Sequence, residues 1–135
     1  MQSKVLFVCV ENSCRSQMAE GLAKLHAADV LVPTSAGSRP SGRVDSSAVQ
    51  AMLEVGYDLT PHYSKSLSAA AAGRYGYLIT MGCGDTCPSI PADHHEDWEI
   101  PDPKGKSMDA YRAVRRMIEG RVRDLAERVR DGQSR

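Results

Sequence analysis

The segment 4–28, KVLFVCVENSCRSQMAEGLAKLHAA, decides the fold. Its opening stretch, Lys4 to Val10, is a short apolar run rich in β-branched residues, the pattern of a strand buried on both faces. From Ser16 to Ala28 the apolar residues Met18, Leu22 and Leu25 recur at steps of four and three, which predicts an amphipathic helix. Strand, tight loop and helix in that order open a βαβ unit.

The pattern continues outward from this unit. Val30 to Ala36 reads as a second strand, Ser38 to Arg43 as a loop, and Asp45 to Val55 as a helix capped by Asp45 and stopped by Gly56. The Ala-rich stretch Ser68 to Gly73 predicts a short helix, and Tyr77 to Met81 a third strand. An irregular segment is expected from Gly82 to about Asp97, with Trp98 to Ile100 as a fourth strand. From Met108 to Val129 the residues Tyr111, Val114, Ile118, Val122, Leu125 and Val129 repeat at helical spacing, a long terminal helix laid across the sheet. The alternation implies an α/β fold of three layers, about four parallel strands with helices on both faces. The length of 135 residues suits a single domain, 1–135, with 131–135 expected as a disordered tail.

Lys plus Arg and Asp plus Glu both total 17, so no global charge draws the chain to nucleic acid or to an anionic membrane. Any anion must be bound locally. The longest unbroken apolar run is Val5 to Val10, and the N-terminus lacks the charged-then-apolar pattern of a signal peptide. A cytoplasmic monomer is expected. The segment Asp85 to Asp102 carries six acids and no Lys or Arg, which makes it either a solvated loop or a docking surface for a partner.

Cys9-Val-Glu-Asn-Ser-Cys-Arg15-Ser16 lies where the first strand turns into the first helix. A loop at this position gathers unpaired backbone N–H groups at the positive end of a helix dipole, which suits a tetrahedral oxyanion. Arg15 adds a planar fork able to bind two oxygens. In the same field Cys9 is expected to be a thiolate nucleophile, with Ser13 and Ser16 able to donate hydrogen bonds to its sulfur. Cys14 reads as a helix-facing bystander. A second pair, Cys83 and Cys87, follows the third strand and so emerges at the same sheet edge as Cys9. Spacing of four permits a disulfide between them; with His94 and His95 they also offer four soft ligands to zinc, although adjacent histidines fit a tetrahedron poorly. Asp102-Pro103 is either a loop-initiating pair or the source of a general acid.

The loop Cys9 to Ser16, its extension Gln17 to Gly21, the Ser35-Ala-Gly37 turn and Asp102-Pro103 together resemble the low-molecular-weight protein tyrosine phosphatase fold, and within it the thioredoxin-coupled arsenate reductases. The resemblance runs from about Ser3 to Val129. It implies Cys9 as nucleophile, Arg15, Ser16 and the backbone of Val10, Glu11, Asn12, Ser13 and Cys14 as the anion cradle, Asp102 as general acid, and Cys83 and Cys87 as a redox relay. The implied substrate is arsenate and the implied partner thioredoxin, or else mycothiol or glutathione with a glutaredoxin-like protein. Some members bind potassium at positions matching Asn12, Glu20, Ser35 and an aspartate; Lys65 stands at the aspartate's position here, so no potassium and no other cofactor is expected. Two features depart from the pattern. Glu11 occupies a loop position often held by glycine, where its carboxylate would repel an anion unless it points away. Lys104-Gly105 follows the Asp-Pro where phosphotyrosine phosphatases carry aromatic residues, which weighs against the alternative of a tyrosine phosphatase using Cys9, Arg15 and Asp102.

Overall fold

A computed structural model describes residues 2–70, 73–82 and 90–132. In chain order the elements are β1 (Ser3–Cys9), α1 (Arg15–His26), β2 (Leu31–Gly37), α2 (Ser46–Leu53), α3 (Leu67–Ala70), β3 (Tyr75–Thr80), β4 (Ala92–Asp97) and α4 (Met108–Gly132). Among the described residues the strands form one parallel sheet in the order β2-β1-β3-β4. The alternation of β1 divides the interior into two cores. Val5, Phe7 and Cys9 face a large one built with α1, α2 and α4, in which the Phe7 and Trp98 rings meet tilted at 5.7 Å between centroids. Leu6 and Val8 face a smaller one with Ala36, Tyr75 and Leu78, covered in part by Leu67 and Ala70 of α3.

The terminal helix buries Tyr111, Val114, Ile118, Val122, Leu125 and Val129, the stripe expected from its spacing. It continues through Asp131 and Gly132, so these two residues are helical rather than part of a disordered tail. The fourth strand is a correction of position. It is Ala92–Asp97, inside the segment expected to be irregular, and Trp98 to Ile100 lies beyond its end. This strand is at the sheet edge, where one side needs no apolar cover, and its sequence ADHHED is mostly exposed. A reading that looks for apolar strands passes over it and settles on Trp98, which is buried but serves to anchor the strand's end by donating its backbone N–H to Thr80 O at 2.8 Å.

The strand also separates His94 from His95. His94 stacks on Tyr77 at 4.8 Å while His95 Nε2 lies 3.4 Å from Thr80 Oγ1 on the opposite face. Two histidines that diverge in this way do not converge on one metal ion. The acids nearby are engaged locally: Asp93 pairs with Arg74, Glu96 with Arg128, and Asp97 accepts from Thr80 Oγ1.

Register places the site. Cys9 pairs with Gly37 at the carboxyl end of β1, and Met81 N–H donates to Val8 O at 2.7 Å, so the segments leaving β1, β2 and β3 meet at one edge.

Candidate active site

Between β1 and α1 the chain makes a tight loop that folds because one residue turns into left-handed space. Asn12 has φ of 50°, which asparagine tolerates better than most residues, and it is fully buried. Its side chain knots the loop together. Asn12 Oδ1 accepts from Lys65 N at 2.7 Å and from Gln17 Nε2 at 3.0 Å, while Nδ2 donates to Ser16 Oγ at 2.7 Å. Since the Ser16 oxygen is thus accepting, its hydroxyl proton is free to point at Cys9 Sγ, 3.0 Å away. The Ser16 backbone N–H reaches the same sulfur at 3.5 Å. A sulfur that receives donors from two directions is suited to carrying negative charge or departing with it.

Glycine is required beneath the loop. A Cβ on Gly37 would lie 2.6 Å from Val10 O and 2.8 Å from Asn12 N, both backbone atoms that cannot swing aside. Gly37→Ala is therefore expected to lower stability by about 1–3 kcal/mol and to weaken inorganic phosphate binding by displacing the loop. Denaturant titration with and without phosphate checks both effects.

Cys9, Val10, Glu11, Ser13, Cys14, Arg15 and Asp102 line one cavity of about 280 Å³, joined by Gly82 and Lys104. No side chain caps α1 at Cys14, which leaves first-turn N–H groups other than that of Ser16 for a bound anion. Arg15 is 8% exposed, held by donation from Nη1 to Ile100 O at 3.0 Å, with Nη2 3.6 Å from Asp102 Oδ2. The guanidinium also needs Gly82, where φ is +75° and a Cβ would come within 2.4 Å of Nη1. Asp102 is half exposed and its other oxygen accepts from Lys104 N at 3.1 Å, so the acid faces both the arginine and solvent. Glu11, expected to repel an anion, is ion-paired with Lys104. Burial pushes the Cys14 thiol up, and the charges of Asp45, Cys9 and Asp102 add to the effect, so Cys14 remains a protonated bystander. Cys83 and Cys87 lie outside the described residues.

The sequence named Glu20, Ser35 and Lys65 beneath the loop but did not single out the Gln17, His62 and Tyr57 chain that supports it. Gln17 Nε2 donates to Asn12 and to Tyr63 O, so its Oε1 is left to accept from His62 Nδ1 at 2.9 Å. His62 Nε2 then accepts from the Tyr57 hydroxyl at 2.8 Å. Burial holds His62 below its ordinary range, against the pull of Glu20, which keeps the ring neutral and this tautomer in place. Beside it, burial alone would raise Glu20, but hydrogen bonds from Lys24 and Ser35 and the charges of Lys65 and Lys24 outweigh it and hold the carboxyl below its usual range. None of these residues follows a spacing rule, because they converge from separate segments; the signal available was Gln17 itself, a buried amide directly after the loop.

Among the described residues no helix is long and apolar enough to cross a membrane. The chain matches, over residues 4–135, the family described as low molecular weight phosphotyrosine protein phosphatase. It is 40% identical to a glutaredoxin arsenate reductase from Synechocystis, over 93% of this chain and 98% of that one. A solved structure of an arsenate reductase in the phosphate-binding state superposes with a TM-score of 0.85 at 38% identity, covering 96% of this chain and 99% of the other. A thioredoxin-dependent arsenate reductase from Corynebacterium glutamicum superposes with a TM-score of 0.81 at 31% identity, covering 97% of this chain and 63% of the other. By its whole-length match and by these relatives, the chain belongs to the low molecular weight phosphotyrosine protein phosphatase family, in its arsenate reductase branch.

Proposed function

We propose that this protein reduces arsenate to arsenite through Cys9, Cys83 and Cys87, and that thioredoxin restores its thiols. The observation that carries the reading is the position of Cys9 on a cavity walled by Arg15 and Asp102, with Gly82, the residue bonded to Cys83, on the same wall. Arg15 and the open start of α1 bind the oxyanion, and Cys9 attacks arsenic. An oxygen leaves as water with a proton from Asp102, giving a thiol-arsenate adduct. Cys83 then attacks the Cys9 sulfur. The electron pair of the arsenic–sulfur bond stays on arsenic, arsenite departs, and a Cys9–Cys83 disulfide is left. Attack by Cys87 on Cys83 frees Cys9 and moves the oxidation to a Cys83–Cys87 disulfide, which thioredoxin reduces by exchange.

The test is NADPH consumption by thioredoxin reductase and thioredoxin with this protein and arsenate. Relatives bear the names of both thioredoxin and glutaredoxin, so a parallel arm supplies glutathione or mycothiol with a glutaredoxin-like protein. Arsenate-dependent oxidation in the thioredoxin arm supports the full proposal; oxidation confined to the other arm keeps the reductase and replaces its partner. A second reaction is favoured by the family and by Cys9, Arg15 and Asp102, hydrolysis of a phosphate monoester through a Cys9 phosphate adduct. Aryl phosphate hydrolysis with no NADPH consumption in either arm would make that the function.

Potassium does not fit beneath the loop, because an ammonium already stands there. Lys65 Nζ donates to Ser35 Oγ and to Tyr63 O, each at 3.3 Å, and lies 3.6 Å from Glu20 Oε1. Replacing potassium by sodium at constant ionic strength is expected to leave KM for arsenate unchanged; a potassium-dependent KM would overturn this assignment.

A further inference from the structure

The Glu11–Lys104 ion pair joins residues 93 apart in sequence, and it is built on two anchored ends. Glu11 O accepts from Ser64 Oγ at 2.8 Å and from Ser41 N at 3.1 Å, so the base of the Glu11 side chain is fixed; its Oε1 also lies 3.4 Å from Ser13 Oγ. Lys104 is anchored by its N–H on Asp102 Oδ1. The pair therefore spans from the anion loop to the loop that carries the acid. It also stands on a boundary. Lys104 and Ser13 line both the Cys9 cavity and a neighbouring one of about 400 Å³ that runs past Ser41, Arg43 and Asp45. An organic group attached to an oxyanion in the first cavity and directed into the second would pass this pair, since Lys104 and Ser13 line both spaces.

We infer that Glu11 and Lys104 form a size filter, a charge-paired bar across the mouth of the Cys9 cavity that admits free inorganic oxyanions and obstructs their aryl esters. The inference deepens the arsenate reading and rests on it for the identity of the oxyanion. Pairing also removes the objection to Glu11, because its carboxylate meets the incoming anion already neutralised by the ammonium. Both side chains are partly exposed, 40% for Glu11 and 52% for Lys104, so the bar is held by a salt-sensitive contact and not by packing.

The filter is read without turnover by alkylating Cys9 with two neutral reagents of one chemistry, N-methylmaleimide and N-phenylmaleimide, and following the peptide that contains Cys9 by mass spectrometry. In Lys104→Met and Glu11→Gln the ratio of phenyl to methyl rate is expected to rise about fivefold, the size of effect that loss of an exposed ion pair produces. Lys104→Arg, which keeps the pair, should retain the wild-type ratio. High salt should raise the ratio of the wild type and leave the two uncharged variants where they are, a response that a purely structural role would not give. A ratio unmoved by Lys104→Met and Glu11→Gln, or one raised equally by Lys104→Arg, overturns the filter. Since the readout contains no arsenate, a wild type that selects by size yet reduces no arsenate overturns the reductase reading alone, and the two failures are distinguished.

Discussion

Cys87→Ser is expected to release a single equivalent of arsenite and then stop, whereas Cys83→Ser should release none. The difference follows from where each thiol enters the proposed relay. With Cys83 present, the Cys9 adduct can be attacked at sulfur, arsenite leaves, and the chain is trapped as a Cys9–Cys83 disulfide. That disulfide has one sulfur at a position only 3% exposed, where a protein reductant cannot reach it. Cys87 is needed to carry the oxidation away from the cavity. Without Cys83 the adduct lacks the thiol that resolves it in the proposed relay, and only hydrolysis back to arsenate remains. Mixing reduced protein with excess arsenate, measuring arsenite and mapping the disulfide by mass spectrometry separates the cases. Whatever hydrolysis of an aryl phosphate the Glu11–Lys104 bar leaves should be the same in both variants as in the wild type, because that reaction ends with water and needs neither thiol. Steady NADPH consumption by Cys83→Ser at the wild-type rate would sink the relay.

The parts of the site that were legible in the sequence are those that one local rule defines. Apolar spacing located the long helix and its large buried apolar residues from Tyr111 to Val129, though not the buried Arg115 and Ala126, because a helix packed on a sheet must repeat its buried face. A strand, a short polar loop with Cys9 and Arg15, and a helix likewise follow one another in the chain, so the anion loop could be read directly. What the sequence concealed depends on contacts made at a distance. The edge strand Ala92–Asp97 has no apolar alternation, since what makes it a strand is its backbone pairing with β3, and its side chains meet β3 through polar and ring contacts. His62 looked ordinary because its role depends on Gln17, 45 residues earlier, and on the neutral tautomer that burial imposes. Glu11 looked like a defect for the same reason. Its partner Lys104 lies in the loop that also brings Asp102, and only the fold brings the two loops face to face.

Arg15→Lys is expected to lower kcat/KM for arsenate by about 100- to 1,000-fold, the loss that follows removal of a preorganised donor to a developing oxyanion. The guanidinium does three things that an ammonium cannot do together. Its plane is fixed by the bond from Nη1 to Ile100 O, it turns Nη2 toward Asp102, and it keeps further N–H groups for the anion. Lysine retains the charge but loses the fork, and the Ile100 carbonyl loses its donor. Charge alone attracts the anion, so inorganic phosphate should still bind, with its inhibition constant raised much less than kcat is lowered. Arg15→Met, which removes charge as well, should lose both. The comparison tests where the arginine acts. If phosphate affinity falls in Arg15→Lys as far as kcat does, the fork serves the bound ground state; if kcat falls alone, its geometry is matched to the equatorial oxygens of the transition state, the outcome that a guanidinium fixed in the Cys9 cavity by Ile100 O favours.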